Sequence, residues 1–207
     1  MNRPTIGVLA LQGDVREHEV AIDRAGADPI RVRRVAELDR CDAIVVPGGE
    51  STTMYKLAET FELLQPLRHA IAAGLPALGT CAGMIMLADR VVDGIEGQRT
   101  IGGIDMTVRR NAFGRQVDSF ETMLEVAGLE DPVPGLFIRA PWVDEVGADV
   151  QVLARVRVDH EHSEVAGRIV AVRQGRLMAT SFHPEIGDDP WLHRLFVESL
   201  DVAAEQS

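Results

Sequence analysis

Residues 5–11 read TIGVLAL, an unbroken apolar run, and beyond Gln12-Gly13-Asp14 the positions Val15, His18, Ile22 and Ala25 recur three or four apart. That change of period predicts a buried strand followed by a helix. The alternation continues. Residues 30–32 are strand-like, residues 43–46 (AIVV) predict another buried strand closed by Pro47-Gly48-Gly49, and residues 63–73 are helical up to Gly74. Residues 75–79 predict a further short strand, Cys81 stands at its end, and residues 82–88 return to a helical pattern. Strands alternating with helices imply parallel strands joined by crossover helices.

Beyond about Gly94 the pattern changes to short strand-like runs at 101–108, 136–138, 150–158 and 169–172, with turn residues between them. These runs extend or flank the sheet. Gln174-Gly175 joins 168–173 to 177–182 with the spacing of a hairpin, and residues 191–204 form the last helix. No internal repeat, low-complexity tract or linker divides the chain, so residues 1–207 are read as one domain, with the polar stretch DHEHSE at 159–164 as a loop. The expected fold is α/β and three-layered: a flavodoxin-like, mostly parallel sheet with flanking helices.

Composition narrows the picture. With 46% hydrophobic residues but only 4% aromatic ones, the core must be built from Val, Ile, Leu, Ala and Met. The formal net charge of -11 repels phosphate backbones and anionic lipid, so nucleic-acid or membrane-surface binding needs a local basic patch. Arg31, Arg33 and Arg34 are the only tight basic cluster, and they alternate with Val32 and Val35 as a half-exposed strand does. Two cysteines, Cys41 and Cys81, make no disulfide framework, and the apolar run near the N-terminus is too short for a signal-peptide core or a spanning helix. The expectation is a soluble, unprocessed, cytoplasmic protein.

The candidate chemistry is concentrated in three motifs. Gly79-Thr80-Cys81-Ala82-Gly83 puts a thiol between two glycines spaced as in a nucleophile elbow, at a strand-to-helix turn. A helix starting at Ala82 favours the thiolate, the reactive form of a group that ordinarily titrates near ~8.5. A lone cysteine is more often a small buried hydrophobe, which is the reading for Cys41. Ser181-Phe182-His183-Pro184-Glu185 changes the balance for Cys81: residues two apart on an extended segment point the same way, so Glu185 can steady an imidazole at His183. His183 would accept the thiol proton and return it to a leaving group. Among the other histidines, His18, His69 and His193 lie on predicted helices without such an acidic neighbour. His160 and His162 have ligand-capable spacing but no third fixed ligand, so no metal is assigned. In the third motif, Val46-Pro47-Gly48-Gly49-Glu50-Ser51, the glycines allow close backbone approach, and amides of Gly49 and Ala82 facing Cys81 would hold an oxyanion, worth ~3 kcal/mol per donor.

With PGGEST at 47–52, GTCAG at 79–83 and SFHPE at 181–185, the chain resembles the triad-type class I glutamine amidotransferases. The segments GVLALQG at 7–13, RNAFGRQVDSF at 110–120 and FIRAP at 137–141 look like those of the glutaminase subunits of pyridoxal 5'-phosphate synthases. The resemblance implies a Cys81, His183 and Glu185 triad working through a glutamyl thioester, and glutamine binding by Gly49, Glu50, Ser51, Arg110, Ile138 and Arg139. Arg110 and Glu50 suit the charges on the α-carboxylate and α-ammonium of glutamine. It also implies a (β/α)8-barrel synthase partner that receives ammonia internally, and activation on docking through the turn at Gly48 and Gly49. Pyridoxal phosphate would be the product of the complex, so no cofactor is expected, and Lys56, the only lysine, is read as an exposed helix residue. The DHEHSEVA stretch departs from the family pattern by its length. An amidotransferase serving histidine or purine synthesis shares the triad but not the RNAFGRQVDSF and FIRAP segments. A non-catalytic protein on the same fold would not require all three triad residues. Met54, Met84, Met86 and Met178 are read as core packing ahead of an ammonia path.

Overall fold

The computed structural model describes residues 3–110, 119–157 and 165–204. Most of the RNAFGRQVDSF segment, residues 111–118, lies outside the described residues, as do residues 158–164 with His160 and His162. In the first half the elements are β1 (Thr5–Leu9), α1 (Val15–Arg24), β2 (Asp28–Val32), α2 (Val35–Leu38), β3 (Ala43–Val46), α3 (Ser51–Thr60), α4 (Leu64–Ala72), β4 (Ala77–Thr80), α5 (Ala82–Leu87) and β5 (Ala88–Val92). The second half adds β6 (Ile104–Arg109), β7 (Ser119–Leu124), β8 (Val133–Ile138), β9 (Trp142–Val146), β10 (Gln151–Arg155), β11 (Ile169–Gln174), β12 (Leu177–Thr180) and α6 (Trp191–Ala204).

Among the described residues ten strands share one sheet in the order β2-β1-β3-β4-β12-β11-β9-β6-β5, with β10 also paired to β11. From β2 through β12 every pair is parallel, which is the flavodoxin-like part. Beyond it β11 runs antiparallel to β12, β9 and β10, and β6 antiparallel to β9, so the sheet as a whole is mixed. The hairpin across Gln174-Gly175 forms as expected: Gln174 pairs with Leu177 and Gly175 takes φ 56°. A separate two-stranded sheet, β7-β8, lies outside the main one.

Two apolar layers sandwich the sheet. Ile6, Val8, Ala43, Val45 and Leu78 face one side and pack with Ile22 of α1 and Leu192, Phe196 and Leu200 of α6. Leu9, Ile44, Val46 and Ala77 face the other, against Met54 of α3, Leu67 of α4 and Met84 of α5. The alternation follows from the two-residue period of a strand, and strands covered on both faces read as continuous apolar runs. Met54, Met84, Met86 and Met178 are all buried in these layers. Leu124 and Phe137 of the small sheet join the first layer, where Phe137 meets Phe182 edge-on at 5.7 Å and Phe182 stacks on Trp191 at 5.9 Å.

Element limits differ from the expected ones for local reasons. The strand expected at 5–11 stops at Leu9, where its register with β2 ends, and the chain then turns through Gln12-Gly13-Asp14. The strand expected at 75–79 runs from Ala77 to Thr80 because the Leu75 amide still donates to Ala70 at the end of α4. The run expected to 158 pairs as a strand only to Arg155. β5, β7, β9 and the short helix α2 were not expected; β5 is a sheet edge, held as a strand by its pairing with β6. Arg31 is exposed and paired through Nε and Nη2 to both oxygens of Glu19 at 2.7 Å, so the basic cluster is a solvated face.

Candidate active site

β4 and β12 are adjacent, parallel and in register, with Thr80 opposite Thr180. Their carboxyl ends therefore deliver Cys81 and, three residues beyond β12, His183 to the same edge. Cys81 adopts φ 49° and ψ -105°, a left-handed conformation rare for a side-chain-bearing residue, and its amide donates to Thr180 O at 2.8 Å. The two glycines of the motif make this turn possible. A Cβ at Gly83 would overlap the Val46 carbonyl, and one at Gly79 would lie 2.5 Å from the Gly83 carbonyl. The glycines thus let α5 start immediately behind the thiol, with β3 packed across it.

His183 Nδ1 is 2.6 Å from Glu185 Oε1, and the backbone amide of His183 donates to Leu136 O of β8 at 2.9 Å. With Nδ1 engaged, Nε2 is the nitrogen left for Cys81. Burial opposes a charge on His183, yet hydrogen bonds to Cys81 and Glu185, together with their charges, outweigh it and push the imidazole up to about 10. Burial pushes the Glu185 carboxyl above its ordinary range, and the hydrogen bond and charge of His183 pull it back. Asp14 Oδ2 also lies 3.5 Å from His183 Nδ1. Asp14, His183 and Glu185 place three ligand-type atoms within 4.8 Å, but the 2.6 Å contact commits Nδ1 to a proton shared with Glu185. Within the cluster the hydrogen bond joins His183 to Glu185, with Asp14 beside it.

The turn after β3 builds the other wall. Glu50 caps α3, accepting from the amides of Thr52 and Thr53 at 3.0 and 2.7 Å. Burial at Glu50 favours the neutral acid, but these donors and the Thr53 hydroxyl win and hold the carboxyl down to about 2. Arg110 Nη2 donates to Glu50 Oε1 at 2.8 Å and Arg110 Nη1 to Gln98 Oε1 at 2.9 Å. The Glu50 amide donates to Gln12 Oε1 at 2.7 Å, and Gly49 takes φ 149°. Between these walls lies a cleft of about 520 Å³, within the size range of small-ligand pockets.

Of the residues singled out in the sequence, Gly49, Glu50, Ser51, Cys81, Ala82, Arg110, Ile138, Arg139 and His183 all line this cleft, and Glu185 stands behind His183. Their convergence is notable because they come from five separate parts of the chain. Residues 8–202 match the SNO glutamine amidotransferase family. The chain belongs to that family. Among its relatives, the pyridoxal 5'-phosphate synthase subunit PdxT of Nocardioides sp. is 64% identical over 95% of its own length and 94% of this chain. The subunit of the same name from Acidothermus cellulolyticus is 61% identical, covering 98% of this chain and 97% of its own. A crystal structure of a glutamine amidotransferase superposes with a TM-score of 0.84 at 46% identity, over 95% of this chain and 98% of that one. The PurLQS structure from Thermotoga maritima shares the fold, with a TM-score of 0.64 at 19% identity over 99% of this chain and all of that one.

In this glutamine amidotransferase the sequence reading did not single out Gln12, Asp14, Ile85, Pro141 and Ile186, which also line the cleft. Gln12 and Asp14 follow β1 at the same sheet edge as the motifs, where the order β2-β1-β3 reverses direction, the usual place for a ligand crevice. That position was the available signal. Arg139 takes φ 42°, a second left-handed non-glycine residue in the cleft wall. Cys41 is half-buried beside β3, and burial pushes its thiol up to about 11, in keeping with a packing role. Lys56 is exposed on α3.

Proposed function

We propose that this chain is the glutaminase subunit of a pyridoxal 5'-phosphate synthase, hydrolysing L-glutamine and passing ammonia to a (β/α)8-barrel partner in the cytoplasm. The observation that carries the chemistry is the buried array of Cys81, His183 and Glu185 at the ends of two paired parallel strands. The relatives' shared name supports the choice of partner, and the 61–64% identity over nearly whole chains supports extending it to this one.

In the proposed reaction the Cys81 sulfur, its proton held by His183, attacks the carboxamide carbon of glutamine. The oxyanion of the tetrahedral adduct is received by the amides of Gly49 and Ala82. His183 gives its proton to the nitrogen, the C–N bond breaks, and ammonia leaves a glutamyl thioester. Water then attacks the thioester carbon while His183 takes its proton; the C–S bond breaks, releasing glutamate and restoring the sulfur and imidazolium. Glu185 holds the ring through Nδ1 and stabilises the imidazolium. Arg110 and Glu50 pair with each other in the cleft wall; toward glutamine, Arg110 is suited to the α-carboxylate and Glu50 to the α-ammonium, with Ser51, Ile138 and Arg139 completing the cleft.

The test is ammonia release from glutamine by the purified chain, with and without the barrel synthase, against Cys81→Ala. Partner-dependent release that the substitution abolishes is the expected result. Equal release without the partner would make this a free-standing glutaminase, and silence in every mixture would overturn the assignment.

A further inference from the structure

Behind Glu185 lies a buried histidine pair that the proposed reaction does not use. His18 projects from α1 and His193 from α6, and both are essentially without solvent exposure. His18 Nδ1 is 2.9 Å from His193 Nε2. On its other side His18 Nε2 is 3.0 Å from Thr80 Oγ1 and 3.5 Å from Glu185 Oε2. Burial, reinforced by His193 and His183, pushes His18 well below its ordinary range, and burial pushes His193 down to about 4. Both rings are therefore neutral at pH 7, and each carries one N–H and one lone pair.

Two proton arrangements satisfy the 2.9 Å contact. If His18 donates from Nδ1, its Nε2 turns a lone pair toward the Glu185 carboxylate. His193, accepting at Nε2, must then carry its proton on Nδ1, a buried atom with no hydrogen-bond partner. If instead His193 donates from Nε2, His18 carries its proton on Nε2, facing Thr80 Oγ1 and Glu185 Oε2, and only a lone pair at His193 Nδ1 is left unpaired. Orphaned buried donors are rarer than under-used acceptors, and a lone pair set against a buried carboxylate is repulsive. Glu185 Oε2 is itself buried without a hydrogen-bond partner, and an N–H on His18 Nε2, 3.5 Å away, is placed to offset its charge.

We propose that His18 is a positioning residue for the hydrolysis: its Nε2–H, oriented by His193, faces Glu185 Oε2 and keeps that carboxylate ionised and aimed through Oε1 at His183. The proposal rests on the triad reading above. The titratable groups facing Glu185 are His183 at 2.6 Å, His18 at 3.5 Å and Asp14; those facing His18 are His193, Glu185 and His183. Of the groups facing Glu185, Asp14 raises its affinity for a proton, so losing the His18 donor moves the carboxyl further up and delays its ionisation to higher pH.

Two measurements test this. In the histidine-15N-labelled full chain, long-range 1H–15N correlations should show His18 protonated at Nε2 and bare at Nδ1; an Nδ1–H tautomer would overturn the proposal without any variant. Kinetics of glutamine hydrolysis in the complex with the synthase should then compare wild type with His18→Leu, which removes the donor, and His18→Gln, whose amide N–H can stand in for Nε2–H. His18→Leu should lose on the order of tenfold to a hundredfold in kcat with little change in KM. The acidic limb of its kcat profile should rise by about one pH unit, and His18→Gln should recover most of both. Unchanged profiles, or equal losses in both variants with an unmoved limb, would reduce His18 to packing. A wild-type complex no more active than Cys81→Ala would instead sink the glutaminase reading itself, and the role of His18 with it.

Discussion

Cys81 is held in a left-handed turn with its sulfur beside a histidine raised to about 10, whereas Cys41 is a thiol that burial raises to about 11. The two should separate chemically. An electrophilic glutamine analogue at pH 7 should label Cys81 and spare Cys41, as peptide mass spectrometry would read; labelling of Cys41 alone would contradict the site. Glu185→Gln keeps the shape of the carboxylate but removes the charge that faces Nδ1 of His183. It should lower kcat by roughly 10²- to 10⁴-fold with little effect on KM, measured in the complex. Glu50→Ala acts differently, because Glu50 both caps α3 and pairs with Arg110. It should cost about 1 kcal/mol of stability through the lost cap and raise KM for glutamine more than it lowers kcat. An unchanged KM would remove Glu50 from substrate recognition.

At the scale of elements, the site depends on how closely α5 follows β4 and lies under β3. Gly83→Ala drives a methyl into the Val46 carbonyl, a backbone atom that cannot rotate away. Such overpacking should cost about 3 kcal/mol, which in a chain of this length lowers the melting temperature by roughly 6–12 °C. Calorimetry should find this shift, and glutaminase activity should fall with it because the same turn carries Cys81. A change of less than a degree would mean that α5 is free to move off β3. The β11-β12 hairpin has the complementary task. Its second strand pairs with β4 through Thr180, so it sets the distance between the thiol and the imidazole.

For the whole molecule, the buried histidines impose a pH profile on stability. His193, lowered to about 4, and His18, held well below its ordinary range by burial, stay neutral when folded and take up protons when unfolded. Between pH ~6.5 and 4 the unfolded chain thus binds more protons, and stability falls on acidification, by roughly 3 kcal/mol at most for His193 alone. His183 has the opposite sign: raised to about 10, it holds its proton in the folded chain above pH ~6.5, and that contribution is lost as pH rises through about 10. Melting temperature should therefore peak near neutrality, with the acidic slope flattened in His193→Leu and the alkaline slope flattened in His183→Gln. A melting temperature that rises steadily to pH 4 would refute the assignment of neutral buried rings. The apolar runs and turn glycines of the sequence determined the parallel strands, their crossover helices and the three motifs, because strand and helix periods and tight turns are local properties of the chain. In the antiparallel half most strands were legible as short apolar runs, but their pairing only at the β11-β12 hairpin, since the ladders among β6, β9, β10 and β11 are set by contacts that leave no local mark. The same limit applies to the site. Cys81, His183 and Glu185 stood out because each sits in a distinctive motif, whereas Gln12, Asp14 and the His18–His193 pair acquire their roles from the meeting of β1, α1 and α6 at one sheet edge. His18 fell on the helical stripe of α1 with no acidic neighbour to mark it, and only the tertiary structure brought a second ring against it and set that pair behind Glu185.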